Sequence, residues 1–187
     1  MNTTFERTKN STDEWYTPKE IIDALGIFDT DPCAPPQPLW RTAGTMYNKH
    51  DNGLIQQWHG RVWLNPPYSR PLICQFLEKM SSHNNGIALL FNRCDSTLFQ
   101  EYVLSKCSGI LFLNKRIKFF RPDGTQGHNP GCGSILVAYG ENNLETLKSC
   151  PLQGKLFIPA PNTHEPQTLP AHKESSRNHQ STPQTPN

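Results

Sequence analysis

Apolar residues recur along the chain in two rhythms, and each change of rhythm marks an element. Residues 70–82, RPLICQFLEKMSS, place Ile73, Phe76, Leu77 and Met80 on one helical face, with Ser69 as the expected cap. NNGIALLFN follows as a turn and a near-continuous apolar run. Such a run suits a parallel strand covered on both sides. A helix from Asp95 or Ser96 to Lys106 turns Phe99, Tyr102 and Val103 inward. TPKEIIDALG carries a helix start, with Thr17 as N-cap, Pro18 at the first position and Glu20 closing a capping box. Gly26 supplies its stop. IFDTDPCAPP reads as a short strand ending in an acidic turn, and RVWL as the next strand. Gly44 to Gly60 reads as irregular. GILFL and RIKFF read as two strands joined in a hairpin at Asn114-Lys115. A Gly-rich loop leads to the strand SILVAYG, the short helix NLETLKSC and a last strand KLFI.

Strands alternate with helices through the middle, and antiparallel strands come late. The pattern predicts an α/β fold, mostly parallel with an antiparallel end. Ligands of such sheets bind at the carboxyl ends of strands, at a switch point. Both unusual strand exits, DTDPCA and LNPPYS, therefore point to one edge. The chain divides into a polar, flexible start over 1–13, one domain over 14–158 and a tail over 159–187. The tail has one Leu, no aromatic residue and no period, so it is expected to be disordered.

Composition narrows the function only a little. A net charge of +2 over 187 residues is too small to mark a nucleic-acid binder, so local clusters must carry that argument. Six cysteines show no CxxC spacing. A zinc site on Cys33, Cys132 and nearby histidines gains little from the spacing, and no metal is expected. No signal-peptide pattern opens the chain, and no apolar run is long enough to span a bilayer. A reducing cytoplasm is the expected compartment.

The residues at the strand exits change the picture. EWYTP, DTDPCA, DNGLIQQW, VWLNPPYS and RIKFF occur in this order. The set resembles the phage-type DNA N-6-adenine methyltransferases, S-adenosylmethionine-dependent enzymes with a Rossmann-like fold. The resemblance covers about residues 13–140. It implies that the Asn65 side-chain oxygen and the Pro66 carbonyl hold the two N–H groups of an adenine amine. Pro66 and Pro67 fix the backbone that aims the carbonyl, and Tyr68 lies against the base. It implies cofactor contacts from Tyr16, Thr17 and Pro18, from Asp31, Pro32, Cys33 and Ala34, and from Asp51. Thr17 also has the capping role, Asp31 also reads as an Asx-type turn, and Asp51-Asn52-Gly53 also reads as a plain turn. No Asp or Glu stands between Ala34 and Lys49 to meet the cofactor ribose.

RIKFF implies an aromatic wall from Phe119 and phosphate contacts from Lys115, Arg116, Lys118 and Arg121, with Arg93 also facing DNA. The same segment reads as a solvated basic edge strand. His128 and Asn129 are further candidate base contacts. The expected partner is double-stranded DNA, with no membrane. RNA adenine or a protein glutamine amide, each a planar NH2, stays open as the substrate. So does an inactive DNA-binding remnant. Protection of phage DNA from restriction is the biological role that the resemblance implies.

Overall fold

The computed structural model describes residues 15–127 and 130–160. The start, the greater part of the tail, His128 and Asn129 lie outside the described residues. In chain order the elements are α1 (Lys19–Leu25), β1 (Thr30–Asp31), β2 (Thr45–Met46), β3 (Val62–Leu64), α2 (Leu72–His83), β4 (Gly86–Phe91), a π-helix (Phe99–Leu104), β5 (Gly109–Leu113), β6 (Ser134–Tyr139), α3 (Glu141–Ser149) and β7 (Gly154–Phe157).

One seven-stranded sheet runs in the order β2-β1-β3-β4-β6-β5-β7. β2, β1, β3 and β4 pair in parallel, while β6 is antiparallel to both β4 and β5. β7 pairs antiparallel with β5. The α/β class, with a parallel part and a late antiparallel end, is as the alternation suggested. Every residue of β6 is buried, and β4 is buried up to Phe91. Helices cover both faces, which is why these two strands are apolar over nearly their whole length.

The core has one cluster on each face. Ile21, Ile22 and Leu25 of α1 meet Trp63, Leu89, Leu136 and, from α3, Leu144 and Leu147. On the other face Ile73, Phe76, Leu77 and Met80 of α2 meet Leu64, Ala88, Leu90, Ile135 and Val137, together with Phe99 and Val103. The four α2 residues are those its spacing predicted. Leu77 and Met80 are fully buried, and each contributes about 1.5–3 kcal/mol of transfer free energy.

Four local expectations need correction. First, no side chain caps α1: Pro18 takes the N-cap position, and the Thr17 hydroxyl has another partner. Gly26, at φ +87, ends the helix as expected. Second, α2 begins later than Arg70 and its N-cap is Pro71, while Ser69 contributes only its carbonyl, to the Ile73 N–H at 3.1 Å. Third, β2 lies inside the stretch read as irregular. Fourth, RIKFF does not form a hairpin with GILFL. β5 has β6 on one side and β7 on the other, so neither of its edges is open. The 116–120 segment is extended and makes only isolated bridges, from Phe120 to Tyr16 and to Gln126.

The helix capped at Ser96 does form, with the Ser96 hydroxyl accepting from Phe99 N–H at 3.2 Å. Most of it is wound as a π-helix. The buried Tyr139 hydroxyl donates to the Tyr102 carbonyl at 2.8 Å and so partners one carbonyl of this wide turn.

Candidate active site

The sheet order creates the site. β1 connects outward to β2, whereas β3 connects the other way, to β4. The loops leaving β1 and β3 therefore diverge and open a crevice at the carboxyl edge. Asp31 ends β1, and Asn65 follows the last residue of β3. The two unusual strand exits thus lie side by side, as the sequence implied.

Asp31 is 2% exposed. Its carboxylate accepts from the Cys33 N–H at 2.9 Å and from the Thr42 hydroxyl. Burial outweighs these bonds and raises its pKa from 3.8 to about 6. Burial, and then the Asp31 charge, push the Cys33 thiol well up. Backbone bonds between Ala34 and Tyr47 at 2.9 Å, and between Tyr47 and Asp31 at 2.8 Å, hold the turn to β2. The 51–58 loop presses on it as well. A Cβ on Gly53 would stand 2.0 Å from the Pro32 carbonyl oxygen, so only glycine allows this approach. Asp51 sits at the exposed start of that loop, where its carboxylate accepts from the Asn48 N–H at 2.9 Å.

The WYT segment forms a second wall. Tyr16 and Phe120 exchange two backbone hydrogen bonds of 2.9 Å, and the Tyr16 hydroxyl donates to the Gln37 carbonyl at 2.9 Å. Trp40 donates its ring N–H to the Thr17 carbonyl at 3.1 Å and meets Phe120 edge-on at 5.3 Å. Tyr16, Thr17 and Pro18 are all buried. The Asn65 amide Nδ2 donates to the Thr17 hydroxyl oxygen at 3.4 Å. This brings WYTP and NPPY together.

Within NPPY, Pro66 is buried and Pro67 exposed. Tyr68 is 38% exposed, but its hydroxyl end is enclosed. β3 stops at Leu64, which pairs with Ala88, while β4 continues to Phe91. The Tyr68 hydroxyl takes over where β3 leaves off. It accepts from the Phe91 N–H at 2.9 Å and donates to the Leu89 carbonyl at 3.4 Å. Its ring stacks on Phe91 with centroids 4.2 Å apart. Burial of the hydroxyl raises its pKa far above the usual tyrosine value.

The basic residues gather at the same edge. Arg93 follows β4, and Lys115 follows β5, which runs in the same direction. Lys115, Arg116, Lys118 and Arg121 are all exposed. Arg116 donates to the Pro130 carbonyl at 2.9 Å, and Arg121 lies 6.0 Å from the Trp15 ring centre. Phe119, expected as an aromatic wall, is packed in the core cluster with Ile21, Ile22 and Ile117. Tyr68 does present an exposed aromatic ring at this edge. Among the described residues, no group of three or more His, Cys, Asp or Glu side chains is placed to hold a metal ion.

Sequence reasoning missed Trp40, Thr42, Phe91 and Ser134. The first three support site residues across 11 to 23 positions of chain, and no local pattern marks them. Ser134 pairs with Phe91, and its hydroxyl is the one buried side-chain polar atom without a partner among the described residues.

The model of the family described as DNA N-6-adenine-methyltransferase (Dam) matches residues 5–147. A DNA N-6-adenine-methyltransferase of Escherichia phage T1 is 37% identical over 94 residues, 46% of this chain and 38% of the relative. The chain therefore matches well under half of that relative's length. A second protein of that name, from Haemophilus phage HP1, is 29% identical over 128 residues, 64% of this chain and 73% of the relative. No solved structure matches. With the family match spanning most of the chain and both strand exits meeting at one crevice, the chain belongs to the DNA N-6-adenine-methyltransferase (Dam) family.

Proposed function

We propose that this protein methylates the exocyclic N6 of adenine in DNA, on a base turned out of the duplex, with S-adenosylmethionine as donor. The observation that carries the reading is the placement of Asn65-Pro66-Pro67-Tyr68 at the carboxyl end of β3, beside the switch point. Asn65 Nδ2 is directed to Thr17, which leaves Oδ1 to accept one N–H of the amine. The Pro66 carbonyl accepts the other. Two fixed acceptors favour a nitrogen that becomes tetrahedral and positive as it gains a methyl group. The proton then leaves the methylated nitrogen, so no strong base is required. Tyr68, pinned through its hydroxyl and backed by Phe91, offers its exposed face to the base. Stacking of this kind contributes about 1–3 kcal/mol per base, comparable with the few kcal/mol needed to turn a base out.

The donor set suits a cationic cofactor. Asp31 is a buried carboxylate that forms no ion pair with the described residues; burial raises its pKa, and a cation bound beside it would offset that cost. Tyr16, Thr17 and Pro18, the turn from Asp31 through Pro32 and Cys33 to Ala34, and Asp51 would hold the cofactor. When bound, S-adenosylmethionine supplies an electrophilic methyl group on a sulfonium. Arg93, Lys115, Arg116, Lys118 and Arg121 meet the phosphates of double-stranded DNA. Phe119 backs this segment from the core.

The test is incubation with labelled S-adenosylmethionine and DNA, RNA or protein, followed by nucleoside and amino-acid analysis. Label in N6-methyldeoxyadenosine supports the reading. Label in RNA or in glutamine overturns it.

A further inference from the structure

We propose that Thr17 is a positioning residue for Asn65, holding the side-chain amide so that its oxygen faces the amine to be methylated. The inference rests on the reading of Asn65 given above and adds a residue to it. Its basis is the hydrogen bond from Asn65 Nδ2 to the Thr17 hydroxyl oxygen, at 3.4 Å.

Three features show that the hydroxyl is committed to this place. Thr17 is 4% exposed, so water does not readily compete for it. It stands just before a helix whose N-cap is Pro18, and its hydroxyl caps nothing there. Its backbone is fixed from two directions: Trp40 donates to its carbonyl at 3.1 Å, and the preceding Tyr16 is joined to Phe120 by two bonds of 2.9 Å.

Chemistry explains why such a partner matters. The two ends of an asparagine amide are alike in shape but opposite in hydrogen bonding. Turned one way, Asn65 offers an acceptor to the substrate amine. Turned the other way, it opposes one NH2 with another, and no hydrogen bond forms. In the productive orientation the Asn65 NH2 needs its own acceptor in a half-buried place, and the Thr17 hydroxyl oxygen provides it; a hydroxyl could also donate to the reversed amide, so the substrate NH2 selects the orientation and Thr17 holds it. The contact also fixes the plane of the amide, which aims the oxygen before the base arrives.

Thr17 lies in the segment assigned to the cofactor, so two roles must be told apart. Thr17→Val keeps the shape and removes the hydroxyl. Thr17→Ser keeps the hydroxyl and trims the shape. The test measures kcat and KM for DNA, the cofactor Kd by calorimetry and the melting temperature, with wild type and Asn65→Ala in parallel. Thr17→Val is expected to lower kcat about tenfold, as for one lost hydrogen bond, with cofactor Kd changed less than about twofold. Thr17→Ser is expected to recover most of that loss. The proposal is overturned by a kcat within about twofold of wild type in Thr17→Val, by a cofactor Kd that rises as far as kcat falls, or by equal losses in both variants. A wild type that leaves DNA adenine unmethylated refutes the functional reading itself. An active wild type with an inactive Asn65→Ala and a normal Thr17→Val refutes only the role of Thr17.

Discussion

The two ends of the sheet use the same kinds of polar residue in opposite ways. At the amino edge, Arg61 donates to the Leu25 carbonyl at 2.8 Å, the Ile27 carbonyl at 3.0 Å, the Asn143 side chain at 2.7 Å and the Thr146 hydroxyl at 3.3 Å. Its guanidinium also lies over the Phe28 ring at 4.3 Å. Asn143 is fully buried, and its Nδ2 donates to the Asn85 side chain at 3.0 Å and to the Tyr139 carbonyl at 2.9 Å. This network ties the end of α1, the starts of β3 and β4, the end of β6 and α3 together. The carboxyl edge is open by comparison. Among the described residues Asn65 has one long side-chain hydrogen bond, Asp31 has no ion pair, the Ser134 hydroxyl has no hydrogen-bond partner and Tyr68 shows a ring face. Satisfied polar groups hold a fold, whereas groups left short of partners are available to a ligand.

This contrast can be broken by substitution. The largest effect is expected at Asn65. Asn65→Ala should lower kcat by a factor of about 100 to 1,000, the scale of removing one preorganised contact to developing charge. Its melting temperature and cofactor affinity should stay near wild type, because the side chain supports little else. At the other edge, Asn143→Leu should cost about 2–3 kcal/mol of stability in a denaturant titration, since it strands the Arg61 Nε and the Asn85 side chain. Activity per folded molecule should persist.

A smaller effect is expected from the surface charges. Lys115→Gln with Lys118→Gln should weaken DNA binding and make the plot of log K against log salt shallower by about 2, one for each phosphate contact. Binding that keeps its slope would remove these lysines from the interface.

The smallest effect concerns Asp31. Its folded pKa, about 6, lies above its ordinary value of 3.8. The folded state therefore holds this proton more tightly than the unfolded state does. The stability from protonated Asp31 is fully present below about pH 4 and is lost as pH rises through about 6. Without cofactor, Asp31→Asn should match wild type in melting temperature near pH 4 and exceed it by a few degrees above pH 6. Cofactor binding to wild type should weaken as pH falls through 6, and in Asp31→Asn it should be weaker and flatter with pH. A gap in melting temperature that does not change with pH would refute the buried charge.

The sequence made the core elements legible because their signals are local. The face of α2 and the near-continuous apolar runs of β4 and β6 need no knowledge of distant residues. NPPY and DPCA were legible as strand exits for the same reason, since each is a short, unusual end to an apolar run. Contacts set by distant chain were not legible. RIKFF alternates as a strand does, with 117 and 119 buried and 116 and 118 exposed. What it lacks is an open strand edge, because β6 and β7 occupy both sides of β5. T-P-K-E has the spacing of a capping box, but the Thr17 hydroxyl meets Asn65, 48 positions away. The Thr42 bond to Asp31 and the Phe91 stack under Tyr68 are likewise products of the fold.

The central claim is that chemistry belongs to the carboxyl edge and stability to the amino edge. Single-turnover methyl transfer to duplex DNA by Asn65→Ala and Asn143→Leu, at a temperature where both are folded, tests it most directly. The expected result is near-complete loss of transfer in Asn65→Ala at an unchanged melting temperature, and near-normal transfer in Asn143→Leu at a lowered one. Transfer by Asn65→Ala at the wild-type rate would contradict the account.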